Sequence, residues 1–217
     1  MEITAVIVAR AGSVRVKNKS MAIVQNETLI QRKIRQLKNS RHINRIVFGS
    51  DSDEMLEHAA SFGVEVVKRP DYFCDEKVCP ANDMISNMCE LVGKTDYIIW
   101  SHCTNPLIEG QIYDDAFNKL IASDKDSLLS VVEMREHTWI DGKPFNYNPY
   151  GNKHVPAKDL VPFYIQDGGI FIQPWEQMRE NKYFFGKNPF MYVIPNDSFL
   201  DINNERDLAM CRGLLGN

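Results

Sequence analysis

The chain has 217 residues, 44% hydrophobic and 25% charged, with a formal net charge of -4. These are ordinary globular values, enough for one domain with a full core, and they leave no global basic field for nucleic acid or an anionic membrane. Five cysteines (Cys74, Cys79, Cys89, Cys103, Cys211) without a CxxC pair or His-rich spacing read as reduced thiols, neither a disulfide frame nor a zinc site.

The chain opens on an apolar run over residues 3–9. About seven residues with no basic region before them are too few for a signal peptide or a membrane span. A buried strand of a cytoplasmic protein is expected. Further strands are predicted over 45–50, 64–67, 97–101 and 127–132. Helices are predicted over 29–37, 53–62, 82–92 and 111–121, where apolar residues recur at three- and four-residue spacing. The alternation predicts an α/β fold, a doubly wound and mostly parallel sheet covered by helices. Ligands on such sheets bind at the carboxyl ends of the strands. Residues 10–20, 49–51 and 102–107 therefore share one rim.

From 133 to 166 the pattern breaks. Pro144, Pro149, Pro156 and Pro162 punctuate it, and Trp139, Phe145, Tyr147 and Tyr150 follow no helical period. An excursion of this length is unlike a free loop, and it is expected to be a dimerisation element projecting from a single domain over 1–217. Regular pattern returns at 169–172 and 191–194, and a closing helix is expected over 204–215.

The first strand runs into Ala9-Arg10-Ala11-Gly12-Ser13-Val14-Arg15-Val16-Lys17-Asn18-Lys19. Arg10, Arg15, Lys17 and Lys19 supply cationic donors, and Gly12 lets backbone amides approach a ligand closely, a combination suited to a polyphosphate. A solvated basic loop is the plainer reading of the same residues. The Walker spacing is missing, and so is the GxGxxG of dinucleotide sites.

These residues resemble the start of the CMP-sialate, CMP-pseudaminate and CMP-3-deoxy-manno-octulosonate synthetases. That family has a strand, then A-R-x-x-S, then a lysine six residues after the serine: here Ala9-Arg10, Ser13 and Lys19. Further matches follow in the family's order. They are Ser50-Asp51-Ser52, Arg69-Pro70 before Asp75, and His102-Cys103-Thr104-Asn105-Pro106-Leu107. Asp159-Leu160, Tyr164, Asp167-Gly168-Gly169-Ile170-Phe171-Ile172 and Asp201-Ile202-Asn203-Asn204-Glu205-Arg206-Asp207-Leu208 complete the set. They span nearly the whole chain.

The resemblance implies transfer of CMP from CTP to the anomeric hydroxyl of an acidic, sialic acid-like sugar, with release of pyrophosphate. It places the nucleotide on Ala9, Arg10, Ala11, Gly12, Ser13, Arg15 and Lys19, with Arg69, His102, Thr104 and Asn105 beside it. Arg10 and Lys19 would hold the triphosphate and the leaving group. Asp201 and Asn203 would hold Mg²⁺, with Asp201 activating the hydroxyl, and His102, Lys158, Asp167 and Gly168 would meet the sugar. A homodimer is implied as well. Asp201 or its neighbours Asn203 and Asn204 could equally cap the last helix.

Three positions depart from the family. Asn203 stands where a second aspartate is usual, and His102 where many members have glutamine. Sialate-type members carry an arginine just before Asp159-Leu160, where this chain offers Lys158 or, further back, His154. Lysine cannot reproduce a bidentate carboxylate clamp. Other acidic acceptors (3-deoxy-manno-octulosonate, a phosphonate, a sugar phosphate) stay open, as does an inactive nucleotide-binding relative.

Overall fold

In the computed structural model, which describes residues 1–13, 15–151 and 153–216, the first apolar run forms the central strand β1 (Ile3–Val8). A short ribbon, β2 (Ile23–Val24) and β3 (Glu27–Thr28), leads into α1 (Leu29–Lys38). Then come β4 (Arg45–Ser50), α2 (Asp53–Ala60), β5 (Glu65–Lys68), α3 (Ala81–Val92), β6 (Tyr97–Ser101), α4 (Gly110–Ile121) and β7 (Ser127–Met134). A small hairpin, β8 (Trp139–Ile140) and β9 (Lys143–Pro144), precedes β10 (Phe163–Pro174), α5 (Trp175–Asn181), β11 (Pro189–Val193) and α6 (Glu205–Leu215).

The main sheet has the order β11-β7-β10-β6-β1-β4-β5. Every neighbouring pair is parallel except those of β10, which runs antiparallel to both β6 and β7. The expected doubly wound, mostly parallel sheet is therefore observed. Its period of two sorts the side chains of β1. Ala5 and Ile7 join a core with Leu29, Ile30 and Ile34 of α1, Met55 of α2, Phe117 of α4 and Leu208 of α6. Val6 faces the other way, onto Ile85, Met88 and Cys89 of α3 and Met178 of α5. Both faces are covered, so every central strand is an apolar run.

Side chains fix where the helices start. Thr28 accepts from the Gln31 amide and Ser52 from the Met55 amide, while Asn204 and Asp207 form a capping box at α6. From β1 the chain winds outward to β4 and β5, then returns to place β6 on the other side of β1. The crevice between the ends of β1 and β6 is the switch point of such a sheet.

The segment 133–166 is less irregular than expected. β7 continues to Met134 and β10 begins at Phe163, so both flanks are paired strands, Phe163 opposite Met134 and Tyr164 opposite Glu133. Only 135–162 leaves the sheet. Within it Tyr147 packs edge-on against His137 with ring centroids 5 Å apart to the nearest ångström, at 4.5 Å. Trp139, Phe145 and Tyr150 stay exposed at 55%, 62% and 88%. No helix among the described residues is long and apolar enough to cross a membrane.

Candidate active site

A cleft of about 300 Å³ opens at the carboxyl ends of β1 and β6, adjoined by a second of about 190 Å³. The two share Val8, Ala9, Arg10, Glu76 and His102. The larger is lined by Ala9, Arg10, Ser13, Arg15 and Lys19 of the first loop, by His102 and Thr104 after β6, and by Asp201 and Asn203 before α6. Nine residues expected from the sequence thus meet across 190 positions of chain, and Arg69 lines the smaller cleft.

The first loop gets its shape from Asn18, in the left-handed region at φ 50°, which turns the chain into a short 3₁₀ segment at Lys19–Met21. Lys19 is half-buried there. Its Nζ donates to the Ile202 carbonyl at 2.9 Å, tying the loop to the opposite wall. Burial lowers the pKa of the Lys19 amine, with Asp201 acting in the opposite sense and Arg15 reinforcing the shift. Arg10 pairs with Glu76 at 3.1 Å, and the Ala11 amide donates to Asp51 at 2.8 Å. Ala11 and Gly12 are exposed on the loop, outside the lining.

Asp201 is free of capping duty, because Asn204 caps α6. Its Oδ2 accepts from the Asn203 side-chain amide at 2.7 Å, and both residues face the cleft. No cluster of three or more His, Cys, Asp or Glu side chains occurs among the described residues. One carboxylate beside one amide oxygen nevertheless fits Mg²⁺, which commonly keeps waters and takes its other ligands from substrate phosphates.

His102 is engaged on both ring nitrogens. Trp100 Nε1 donates to its Nε2 at 3.3 Å, so Nδ1 carries the proton given to the Gly168 carbonyl at 2.7 Å. Burial lowers its pKa, which favours this neutral tautomer. Its ring therefore joins the end of β6 to the irregular turn of β10 at Gly168, whose φ is 70°. Asn105 and Asp167 lie beneath the cleft rather than in it. Asn105 donates to the Asp167 carbonyl at 3.1 Å, and Ser130 donates to the Asp167 carboxylate. Burial raises the pKa of that carboxyl. Cys103, on the cleft wall, has its thiol pushed up to about 12 by burial, so it is no nucleophile.

Arg69 reaches the smaller cleft by crossing Gly49. A Cβ at Gly49 would lie 2.9 Å from Arg69 Cδ and 2.8 Å from Met88 Sδ, so the path needs glycine. Arg69 Nη2 donates to the Phe73 carbonyl at 2.6 Å, while its buried Nε has no acceptor among the described residues. Lys158 is exposed on the 3₁₀ turn Ala157–Asp159 and His154 is exposed before it. Neither lines either cleft of its own chain.

A family model described as cytidylyltransferase matches residues 4–149. The chain belongs to the cytidylyltransferase family. That match covers the basic loop, Arg69 and residues 102–107. Across the full length, the chain is 26% identical over 226 residues to post-translational flagellin modification protein B of Campylobacter coli, covering 99% of this chain and 95% of that one. It is 21% identical over 216 residues to a pseudaminic acid cytidylyltransferase of Campylobacter jejuni, with 95% and 93% covered. A solved structure of CMP:2-keto-3-deoxy-manno-octonic acid synthetase complexed with CTP superposes with a TM-score of 0.69 at 12% identity, covering 99% and 98% of the two chains. The cytidylyltransferase fold is thus complete in this chain.

Two features of the site carry no signal in the sequence. Glu76 is one acid in a charged loop until folding sets it on Arg10. Arg32, Lys33 and Gln36 look like ordinary polar positions of an amphipathic helix, yet all three are buried behind residues 105 and 106.

Proposed function

We propose that this cytidylyltransferase transfers CMP from CTP to a hydroxyl of an acidic sugar of the sialic, pseudaminic or legionaminic type, releasing pyrophosphate. One observation carries the reading: Arg10, Arg15 and Lys19 converge with Asp201 and Asn203 on a single cleft at the switch point of a cytidylyltransferase fold. The sugar oxygen forms a bond to the α-phosphorus as the bond to the β-bridging oxygen breaks. The hydroxyl proton passes to Asp201 or to solvent. Catalysis of this kind rests on positioning and on charge stabilisation. Arg10 and Lys19 face the oxygens on which charge accumulates, and Lys19 is held in place by the Ile202 carbonyl. Mg²⁺, held by Asp201 and Asn203, would neutralise the phosphates and orient them. Arg69 and the smaller cleft suit the pyrimidine, since about 190 Å³ leaves little room for a purine.

The sugar half is proposed to be shared between two copies. Exposed Trp139, Phe145 and Tyr150 would be covered in a symmetric homodimer, which would bring the partner's 135–162 segment to the cleft. Pyrophosphate release, measured with CTP, UTP, ATP and GTP against a panel of acidic sugars, tests the reading. Turnover with CTP and one such sugar, abolished by EDTA, is the expected result. Equal turnover with ATP, or none with any acidic sugar, would sink it.

A further inference from the structure

Behind the cleft lies a buried cation that the proposed chemistry does not use. Lys33, in the first half of α1, is fully buried. Its Nζ donates to the Asn105 carbonyl at 2.8 Å and to the Tyr113 hydroxyl at 2.8 Å, and no carboxylate pairs with it among the described residues. Its neighbours aim at the same turn. Arg32 Nε and Gln36 Nε2 both donate to the Pro106 carbonyl, at 2.7 and 2.8 Å. Three buried donors from one helix thus meet two consecutive carbonyls.

An amine in an apolar core is costly, and burial pushes the pKa of Lys33 down to about 7. What the amine holds is the turn that forms one wall of the cleft. Thr104, next along that turn, has its carbonyl bonded to the Ile202 amide at 2.9 Å, and the Ile202 carbonyl accepts from Lys19. Asp201 and Asn203 flank Ile202 on the wall opposite. A shift of the turn would therefore move the residues assigned to the metal and the hydroxyl. The first loop, which carries the main phosphate donors, would keep its place on β1.

We propose that Lys33, flanked by Arg32 and Gln36, is a positioning residue: it fixes the turn at 102–107 and, through the Thr104 carbonyl, the placement of Asp201. What Asp201 does there rests on the function proposed above, whereas its placement does not. Tyr113 belongs to the same device. Its hydroxyl is shared between Lys33 and Ser101 at 2.6 Å, and Ser101 donates to the Gly169 carbonyl at 3.2 Å.

The test uses Lys33→Met, which keeps the stem and deletes the donor, and Tyr113→Phe, which removes one of the amine's two partners. Amide hydrogen exchange is followed at Ile202, with β1 and β4 as internal references, and kcat and the KM for CTP are measured on the same samples. In Lys33→Met, Ile202 is expected to exchange about tenfold faster or more while the reference strands keep their protection. Turnover falls about tenfold or more, with the KM for CTP within about twofold of wild type. Tyr113→Phe shows the same pattern at smaller amplitude. A merely structural lysine would lower the melting temperature and leave this split absent.

Unchanged exchange at Ile202 in folded Lys33→Met overturns the proposal, whatever happens to activity. If that variant does not fold, unchanged exchange at Ile202 in Tyr113→Phe overturns it instead. A wild-type protein that turns over no acidic sugar with CTP refutes the functional reading, and the exchange measurement still decides the positioning role.

Discussion

Lys19 donates to the carbonyl of Ile202 at 2.9 Å, joining residues 183 positions apart. The contact closes the cleft, since Lys19 leaves the loop after the central strand and Ile202 leads into the last helix. It also places an ammonium group within reach of the site where phosphate charge would develop.

Replacing Lys19 with alanine separates chemistry from folding. Loss of one part-buried hydrogen bond is expected to cost about 1 kcal/mol of stability. A donor to a transferring phosphoryl group is worth about 10²–10³ in rate. Urea unfolding and pyrophosphate release on the same sample check both. Lys17, exposed and outside the lining, is the control and should leave turnover within about twofold when replaced by alanine. Equal losses for the two variants would return the loop to a general electrostatic role.

Arg69 should discriminate between the two ends of the nucleotide. It lines the smaller cleft but not the one walled by Arg15 and Lys19. Arg69→Met is therefore expected to weaken CTP binding about tenfold or more, with little change in the binding of inorganic pyrophosphate, as read by calorimetry. Parallel losses for both ligands would place Arg69 on the phosphates. Gly49→Ala should reproduce the CTP defect from a residue that touches no ligand, because its methyl group would displace the Arg69 stem.

The sequence made the sheet legible because every central strand is buried on both faces, as in Ile3–Val8, and reads as an unbroken apolar run. The nucleotide side of the site was legible for a related reason: its residues sit on the loops that end those strands. The excursion was harder to read. Prolines and scattered aromatics hid the fact that Phe163 already pairs with Met134 in the sheet. Asn105 and Asp167 have motif positions that suggest ligand contact, yet backbone geometry turns them under the cleft, where they bond to each other and to Ser130. The buried donors of α1 were invisible, since Lys33 is indistinguishable from a solvated lysine until α4 supplies Tyr113.

The same lysine makes a prediction about pH. Its pKa falls from 10.5 to about 7 on folding, chiefly through burial. Cys103, Glu109, Arg32, Asp167 and Tyr113 are the titratable and charged groups that face it. Between those pH values the unfolded chain binds a proton that the folded chain does not, so this group makes stability rise with pH across the window. The slope is at most about 1.4 kcal/mol per pH unit. Urea unfolding of wild type and Lys33→Met from pH 7 to 9.5 should show the wild type gaining on the variant as pH increases. Parallel curves would mean that Lys33 keeps its proton in the fold.

The proposed dimer predicts recovery of activity from two inactive proteins. Lys158 is exposed on Ala157–Asp159 and lines neither cleft of its own chain, although its place beside Asp159-Leu160 resembles a stretch that serves the sugar. If it acts across the interface, Lys158→Ala damages the partner's site while Lys19→Ala damages its own. In a hybrid dimer both lesions then fall on one site and the other is intact. Random exchange of equal amounts gives hybrids in about half of the dimers, each with one working site of two, so about a quarter of wild-type activity should return. Light scattering at micromolar concentration must first show a dimer, and a tagged mixture must show that subunits exchange. A monomer rejects the shared site outright. Exchange without recovery confines Lys158 to its own chain, and the 135–162 segment then covers its aromatics without serving the sugar.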